Sequence, residues 1–226
     1  MEIKQIIFDY DGVFTKDDYI PISKALSKSS GIPENQIEDR IGVHERKYVL
    51  SPDSTRFLKD IKKEFNSEKG LDELALLLNQ RGNSGLYDEF HKFIKWKGKR
   101  EGRGLSILSN QLAYRIQHIR AELDNNIGLE HFDRIWFSPE VGLQKPFVGV
   151  THKDPNSAMD VSKVDIFPFA ISQMGYLGYK PKECIFIDDS EKNIASAQAS
   201  GMNGLIFKNV EQMIKELDKK FNVVIS

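Results

Sequence analysis

The sequence predicts an α/β fold in which a doubly wound parallel sheet carries a small helical domain. Three observations lead to this prediction. Short apolar runs end in small or polar residues, helix patterns fall between these runs, and residues 17–85 hold helix patterns without a convincing strand. Continuous apolar runs are typical of strands covered on both faces, as in parallel sheets. Strands that alternate with helices are typical of doubly wound folds.

Five apolar runs are predicted to be strands. The three clearest are "IKQIIFDYDG" near the start of the chain, "GLSILSN" at 104–110 and "ECIFIDDS" at 183–190. "RIWFS" at 134–138 and "GLIF" at 204–207 are the fourth and fifth candidates.

Helix patterns follow several of these runs. The segment "QLAYRIQHIRAEL" at 111–123 has apolar residues three or four positions apart, namely Leu112, Ile116, Ile119 and Leu123. "SEKNIASAQASG" at 190–201 is rich in alanine, begins with a capping serine and ends at a glycine. "VEQMIKELDKKF" then predicts a last helix near the end of the chain.

Residues 17–85 form an insert between the first and second strands, and three amphipathic patterns within it predict a small helical domain. The sheet domain is then expected to comprise residues 1–16 and 86–226. Residues 146–165 have weak periodicity and several turn residues. They predict a long loop, which in a compact domain is usually functional or mobile.

Composition narrows the class of protein. The chain has 226 residues, of which 29% are charged, and its net charge is -1. A net charge so close to zero does not favour nucleic acid or an acidic membrane as a partner. The single cysteine, Cys184, fits a reducing compartment. No apolar stretch approaches the ~20 residues that a bilayer span needs, and the first strand begins too early for a signal peptide. We therefore expect a soluble cytoplasmic protein, whose oligomeric state the sequence leaves open.

Acidic residues follow two of the predicted strands. Asp9 and Asp11 come after the first strand, and Asp188 and Asp189 come after "CIFI". The carboxyl ends of parallel strands lie at one edge of a sheet, where ligands bind. Four carboxylates gathered there would destabilise the fold unless a cation sits among them. Oxygen ligands without a histidine or cysteine cluster favour Mg²⁺.

Four motifs resemble those of the haloacid dehalogenase-like hydrolase superfamily, in the order that superfamily has them. They are "FDYDGV", "LSILSN", "EVGLQKP" and "CIFIDDSEKN". The resemblance covers the sheet domain and implies a Rossmann-like core. It also implies that residues 17–85 are a cap domain, as in the subfamily whose cap follows the first motif.

The resemblance implies chemistry for the first motif. Asp9 is expected to be the nucleophile that forms a phosphoaspartate, and Asp11 the acid and base that protonates the leaving oxygen and activates water. Dehalogenases of the superfamily typically lack an acid at the second position, so Asp11 favours phosphate esters as substrates. Gly12 allows a sharp turn after the strand.

The other motifs imply a phosphate site and a metal site. Ser109 and Asn110 are expected to hold the phosphoryl group at a helix start. The expected Mg²⁺ site comprises Asp9, Asp11, Asp188 and Asp189, with Asp11 contributing its backbone carbonyl and Asp189 a direct carboxylate contact. By the same resemblance Asp188 is an outer or water-bridged ligand, and Asn193 organises the following loop.

A lysine is required to hold the phosphoryl group, and two residues are candidates. Lys145 lies in "SPEVGLQKP", where the superfamily places its lysine, but about twenty residues further from Asp188 than the superfamily pattern suggests. Lys163 precedes a stretch, "SKVDIFPFAISQMGYLG", that also resembles the sequence after that lysine. We favour Lys145 and interpret residues 147–162 as an insertion, while Lys163 stays open as the alternative.

The predicted function is that of a Mg²⁺-dependent phosphatase acting on a small phosphorylated metabolite, with substrate choice in the cap. A phosphotransferase or sugar-phosphate mutase would use the same aspartates. A non-catalytic binding protein on this fold is the alternative of another class, and the displaced lysine is the feature that keeps it open.

Overall fold

The computed structural model describes residues 2–15, 19–80, 89–90, 93–94, 103–145 and 165–223. The five predicted strands are present as β1 (Gln5–Phe8), β2 (Gly104–Ser109), β3 (Arg134–Phe137), β4 (Cys184–Asp188) and β5 (Asn203–Ile206). They form one parallel sheet in the order β3-β2-β1-β4-β5. The predicted α/β fold is confirmed.

Helices cover both faces of this sheet. The sheet domain contains α5 (Ala113–Asn126), the short α6 (Ser138–Val141), α7 (Ile166–Tyr176), α8 (Glu191–Ala199) and α9 (Val210–Phe221). In β1, Ile6 and Phe8 pack in a cluster with α5 and α9, whereas Ile7 packs in a second cluster with α7 and α8. Because successive strand residues point to opposite faces, the two clusters lie on opposite sides of the sheet.

Four helices form residues 19–80, which follow β1 and which we call the helical region. They are α1 (Ile20–Ser30), α2 (Glu34–Tyr48), α3 (Thr55–Glu64) and α4 (Leu71–Asn79), and the described residues of this region contain no strand. Their buried apolar side chains pack into a cluster of their own. The boundaries at 17 and 85 lie outside the described residues, so the exact domain division stays a prediction.

The residues just before and within the first turn of α5 join the helical region to the sheet domain. Leu112 belongs to the apolar cluster of the helical region. The Tyr114 ring stacks on Phe57 at 5.5 Å between centroids, and the Tyr114 N–H donates to Ser54 Oγ at 2.8 Å. The helical region is therefore seated on the segment that follows β2.

Two local expectations are modified. The helix predicted from residue 111 begins at Ala113, because Gln111 and Leu112 stay outside it and make other contacts. Ser190 precedes α8 as predicted, but its side chain makes no capping hydrogen bond; instead its N–H donates to Asp188 Oδ1 at 2.8 Å.

The predicted long loop lies almost wholly outside the described residues, as do Lys163 and the 147–162 insertion. The described residues on either side of it meet. The Ile166 N–H donates to the Gln144 carbonyl at 3.0 Å, and Gln144 and Asp165 form an isolated parallel bridge. The two ends of this segment therefore lie side by side, which is compatible with the interpretation of it as an insertion.

No helix among the described residues is long and apolar enough to cross a membrane.

A pair of leucines in α4 tests the packing of the helical region. Leu74 is completely buried and Leu76 is 67% exposed. We expect Leu74→Ala to lower the free energy of unfolding by about 2–5 kcal/mol, because it opens a cavity in the apolar cluster. The control Leu76→Ala should change it by less than about 0.5 kcal/mol. Chemical denaturation measures both values, and equal effects would contradict the described packing.

Candidate active site

The carboxyl ends of three strands meet at one place. Asp9 follows β1, Ser109 ends β2 and Asp188 ends β4, and all three are buried. The Asp9 N–H donates to the Ile187 carbonyl at 2.9 Å, so Asp9 is held in line with the sheet. The Ser109 side chain hydrogen-bonds the Asp9 carboxylate. This is the edge at which the sequence predicted a site.

The Lys145 ammonium lies between two of these carboxylates. Its Nζ is 2.5 Å from Asp9 Oδ2 and 2.8 Å from Asp188 Oδ2, and the residue is only 3% exposed. Asn110 fixes its backbone, since Asn110 Oδ1 accepts from the Lys145 N–H at 2.8 Å and Asn110 Nδ2 donates to the Lys145 carbonyl at 3.3 Å. The structure thus places the favoured lysine beside Asp9.

Burial and charge act against each other in this group. Burial raises the pKa of Asp9 to about 8; the neighbouring Lys145 opposes this shift, and Asp188 adds to it. Burial also lowers the pKa of Lys145, but Asp188 and Asp9 outweigh that effect and raise it above its usual value. Lys145 therefore stays protonated, and the ionised form of Asp9 would be favoured by a further positive charge.

Three carboxylates offer a place for that charge. Asp9, Asp188 and Asp189, which we call the carboxylate cluster, each have an oxygen that lies within 4.8 Å of the others. Asp188 is fully buried, and Asn193 Nδ2 donates to both of its oxygens at 3.0 and 3.1 Å, whereas Asp189 is exposed. Carboxylate oxygens fit Mg²⁺, and one lysine leaves the cluster with excess negative charge. The residues therefore fit a divalent cation.

The Asp11 side chain lies outside the carboxylate cluster. The Arg115 guanidinium binds both of its oxygens, with Nη1 at 2.8 Å from Oδ2 and Nη2 at 3.1 Å from Oδ1. Gln111 Nε2 also donates to Asp11 Oδ2 at 2.9 Å. Asp11 lines the same cavity as Asp9 and Asp189, and an arginine neutralises its carboxylate there. The contact of its backbone carbonyl with a metal stays a prediction.

Sequence reasoning missed Arg115 and Gln111. A signal for Arg115 was present, because it falls on the same helical face as Leu112, Ile116 and Ile119. A charged residue on an apolar face of a helix is buried only when it is paired. No comparable signal marks Gln111, which can contact Asp11 because it lies two residues before the start of α5.

A cavity of about 260 Å³ opens onto these residues. The sheet domain lines it with Asp9, Asp11, Ser109, Asn110, Gln111, Leu112, Arg115, Lys145, Asp189 and Asn193. Across from them α2 contributes Gly42, Glu45 and Arg46, and Val49 follows. Gly42 is adjacent to Arg46, since a Cβ at 42 would be in contact with Arg46 Nη1 at 3.4 Å. The helical region therefore forms one wall of the site.

A comparison with known families identifies the family of this chain. The sequence profile described as haloacid dehalogenase-like hydrolase matches residues 3–201. The chain belongs to this hydrolase family. The resemblance carried by the four motifs is thereby confirmed.

Two curated relatives of this hydrolase differ in how much they share with it. Phosphatase MT3486 of Mycobacterium tuberculosis is 22% identical over 213 residues, which are 91% of this chain and 88% of that protein. The chloroplast flavin mononucleotide hydrolase 1 of Arabidopsis thaliana is 43% identical over 49 residues. That second match spans only 22% of this chain and 20% of the plant protein.

A solved structure shares the fold. The haloacid dehalogenase family enzyme of Bacteroides thetaiotaomicron, determined with magnesium and inorganic phosphate, is 19% identical with a TM-score of 0.64. The alignment covers 91% of this chain and 94% of that enzyme. At this level of identity the match shows a shared fold.

Gly12 provides a test of the carboxylate cluster. It has a φ of +78°, and a Cβ there would lie 2.7 Å from the Asp189 Cγ. We expect Gly12→Ala to displace Asp189 and weaken Mg²⁺ binding by about tenfold or more, equivalent to ~1.4 kcal/mol. Isothermal titration with MgCl₂ measures this change.

Gly31→Ala is the matched control for that substitution. Gly31 also has a positive φ, +73°, but a Cβ there would meet nothing within 4 Å. Both substitutions strain the backbone, and only Gly12→Ala crowds the carboxylate cluster. Equal Mg²⁺ affinities in the two variants would contradict a metal site at Asp189.

Proposed function

We propose that this hydrolase is a Mg²⁺-dependent phosphatase that cleaves a small phosphorylated metabolite through a phosphoaspartate on Asp9. The observation that carries the proposal is the position of Asp9. Its carboxylate shares a buried lysine with Asp188 and opens onto a cavity that also contains Asp11. A nucleophile, a cation and a second acid at one cavity are the groups that phosphoryl transfer needs.

Bound at Asp9, Asp188 and Asp189, Mg²⁺ would supply positive charge beside the phosphoryl oxygens. In the first step an Asp9 oxygen forms a bond to phosphorus while the ester P–O bond breaks, and Asp11 gives a proton to the leaving oxygen. In the second step Asp11 takes a proton from water, whose oxygen bonds to phosphorus as the phosphoaspartate bond breaks. Inorganic phosphate leaves and Asp9 is restored.

Two residues would hold the phosphoryl group during these steps. The Lys145 ammonium is already at Asp9 Oδ2, where it would offset the charge on a transferring oxygen. Ser109 hydrogen-bonds Asp9 and lines the same cavity. Asn110 acts differently in this proposal, because its amide is bound to the backbone of Lys145 and so positions that lysine.

Two of the similar proteins support a phosphatase function. The mycobacterial relative is named a phosphatase, and the Bacteroides structure contains both magnesium and inorganic phosphate. The flavin mononucleotide hydrolase matches too short a segment to indicate a flavin substrate here. A small phosphorylated substrate, a cytoplasmic location and the absence of nucleic-acid and membrane partners stay predictions.

The nucleophile is tested with Asp9→Asn. We expect this change to reduce Mg²⁺-dependent phosphate release from an aryl phosphate by about 10³-fold or more, because an amide is a poor nucleophile. The fold should survive, since Lys145 keeps Asp188 as its partner. Asp218→Asn, on the exposed surface of α9, is the control and should retain full activity.

Undiminished phosphate release from the Asp9→Asn enzyme would overturn the assignment. Product analysis in the same assay separates the alternatives. A phosphotransferase would pass the phosphoryl group to a second hydroxyl instead of releasing phosphate. A binding protein would show no turnover with any member of a panel of phosphorylated metabolites.

We propose that the residues of α2 that line the cavity select the substrate, and a substitution of Arg46 tests this. Lys145 and Arg115 are paired with aspartates, whereas Arg46 has no hydrogen-bond or ion-pair partner among the described residues. We expect Arg46→Met to raise KM about tenfold for phosphate esters whose leaving group carries a carboxylate, since a charge-assisted hydrogen bond is lost. Esters with neutral leaving groups should change by less than about twofold.

Steady-state kinetics on a panel of both ester types measures this difference. Arg40→Met is the control, because Arg40 is on the same helix, pairs with Glu64 at 3.1 Å and does not line the cavity. A uniform change of KM across the panel would place substrate choice elsewhere in the helical region.

A further inference from the structure

Arg115 is a buried arginine whose guanidinium faces the Asp11 carboxylate. It is only 4% exposed, and its guanidinium binds both oxygens of Asp11. A buried guanidinium is costly unless it is paired, and a two-point contact with a carboxylate fixes orientation as well as charge. The Asp11 carboxylate therefore has one defined orientation in this structure.

Gln111 also contacts the Asp11 carboxylate and the Arg115 guanidinium. Its Nε2 donates to Asp11 Oδ2 at 2.9 Å and lies 3.0 Å from Ser109 Oγ, and its Oε1 accepts from Arg115 Nη1 at 3.0 Å. Gln111 is 2% exposed. The second acid is thereby linked to the residue that hydrogen-bonds the nucleophile.

Residues 111–115 also contact the helical region. The Gln111 N–H donates to Ser138 Oγ at 3.0 Å, and Ser138 Oγ lies 3.0 Å from the Val49 carbonyl at the end of α2. Leu112 and Tyr114 contact the helical region directly. Within 111–115, the two residues that hold Asp11, Gln111 and Arg115, thus flank the two that contact the helical region, Leu112 and Tyr114.

We propose that Arg115 is a positioning residue for proton transfer by Asp11, and that docking of the helical region on residues 111–115 supports that position. This inference rests on the proposed function. Arg115 gives up no proton in either step; it holds the carboxylate so that Asp11 can protonate the leaving oxygen and later accept a proton from water. A purely structural arginine would be needed equally for every substrate.

The experiment compares two substrates in Arg115→Met. Release of an alkyl alcohol requires a proton from Asp11, whereas nitrophenolate leaves without one. We expect kcat for the alkyl phosphate to fall by about 100-fold. The pre-steady-state burst of nitrophenolate should stay within about threefold. Arg115→Lys should recover part of the loss, because a lysine makes only a single contact.

A double-mutant cycle gives a readout that a structural role would not move. Asp11→Asn should show the same substrate difference, and adding Arg115→Met to it should cause little further loss, since both changes remove one function. Arg120→Met is the matched control, because Arg120 is half-buried on the same helix and pairs with Glu140 instead of Asp11. Its kinetics should be unchanged.

Equal losses for both substrates, or fully additive losses in the cycle, would overturn the proposal. If Arg115→Met does not fold, Gln111→Leu replaces it and is expected to show the same substrate difference at about tenfold, because it removes a contact with the same carboxylate. A wild-type protein without Mg²⁺-dependent phosphate release refutes the proposed function itself. An active wild type with an unaffected Arg115→Met variant refutes this inference alone.

Discussion

The contact on which the site depends is the buried ammonium of Lys145 between Asp9 and Asp188. Removing one partner of such a buried ion pair typically lowers the free energy of unfolding by about 3–5 kcal/mol, because the remaining charge is left uncompensated. The contact joins the ends of β1 and β4 to a segment that follows α6. One lysine therefore both pairs with the acids at two strand ends and places a positive charge beside Asp9.

Charge balance explains how the remaining acids are arranged around that lysine. One ammonium cannot neutralise three carboxylates, so Asp9, Asp188 and Asp189 retain the excess negative charge that a divalent cation needs. Asp11 is removed from this balance by Arg115. Separating the two motif aspartates in this way gives them different environments, as different chemical roles require.

The segment at 111–115 connects the helical region to the chemistry of the sheet edge. Leu112 and Tyr114 pack against the helical region, and Gln111 and Arg115 hold Asp11. A displacement of the helical region must therefore act on residues one position away from those that orient the second acid. The wall of the cavity and the orientation of Asp11 depend on the same interface.

The sequence by itself determined the five strands, the helical region and the acids at the sheet edge, because apolar runs report burial and parallel strands end at a common edge. Only the tertiary structure decided which charges pair. Arg115 binds Asp11 across 104 positions and Lys145 binds Asp188 across 43. Periodicity shows that a residue is buried, whereas its partner depends on how distant segments pack, so the Asp11 pairing could not be predicted.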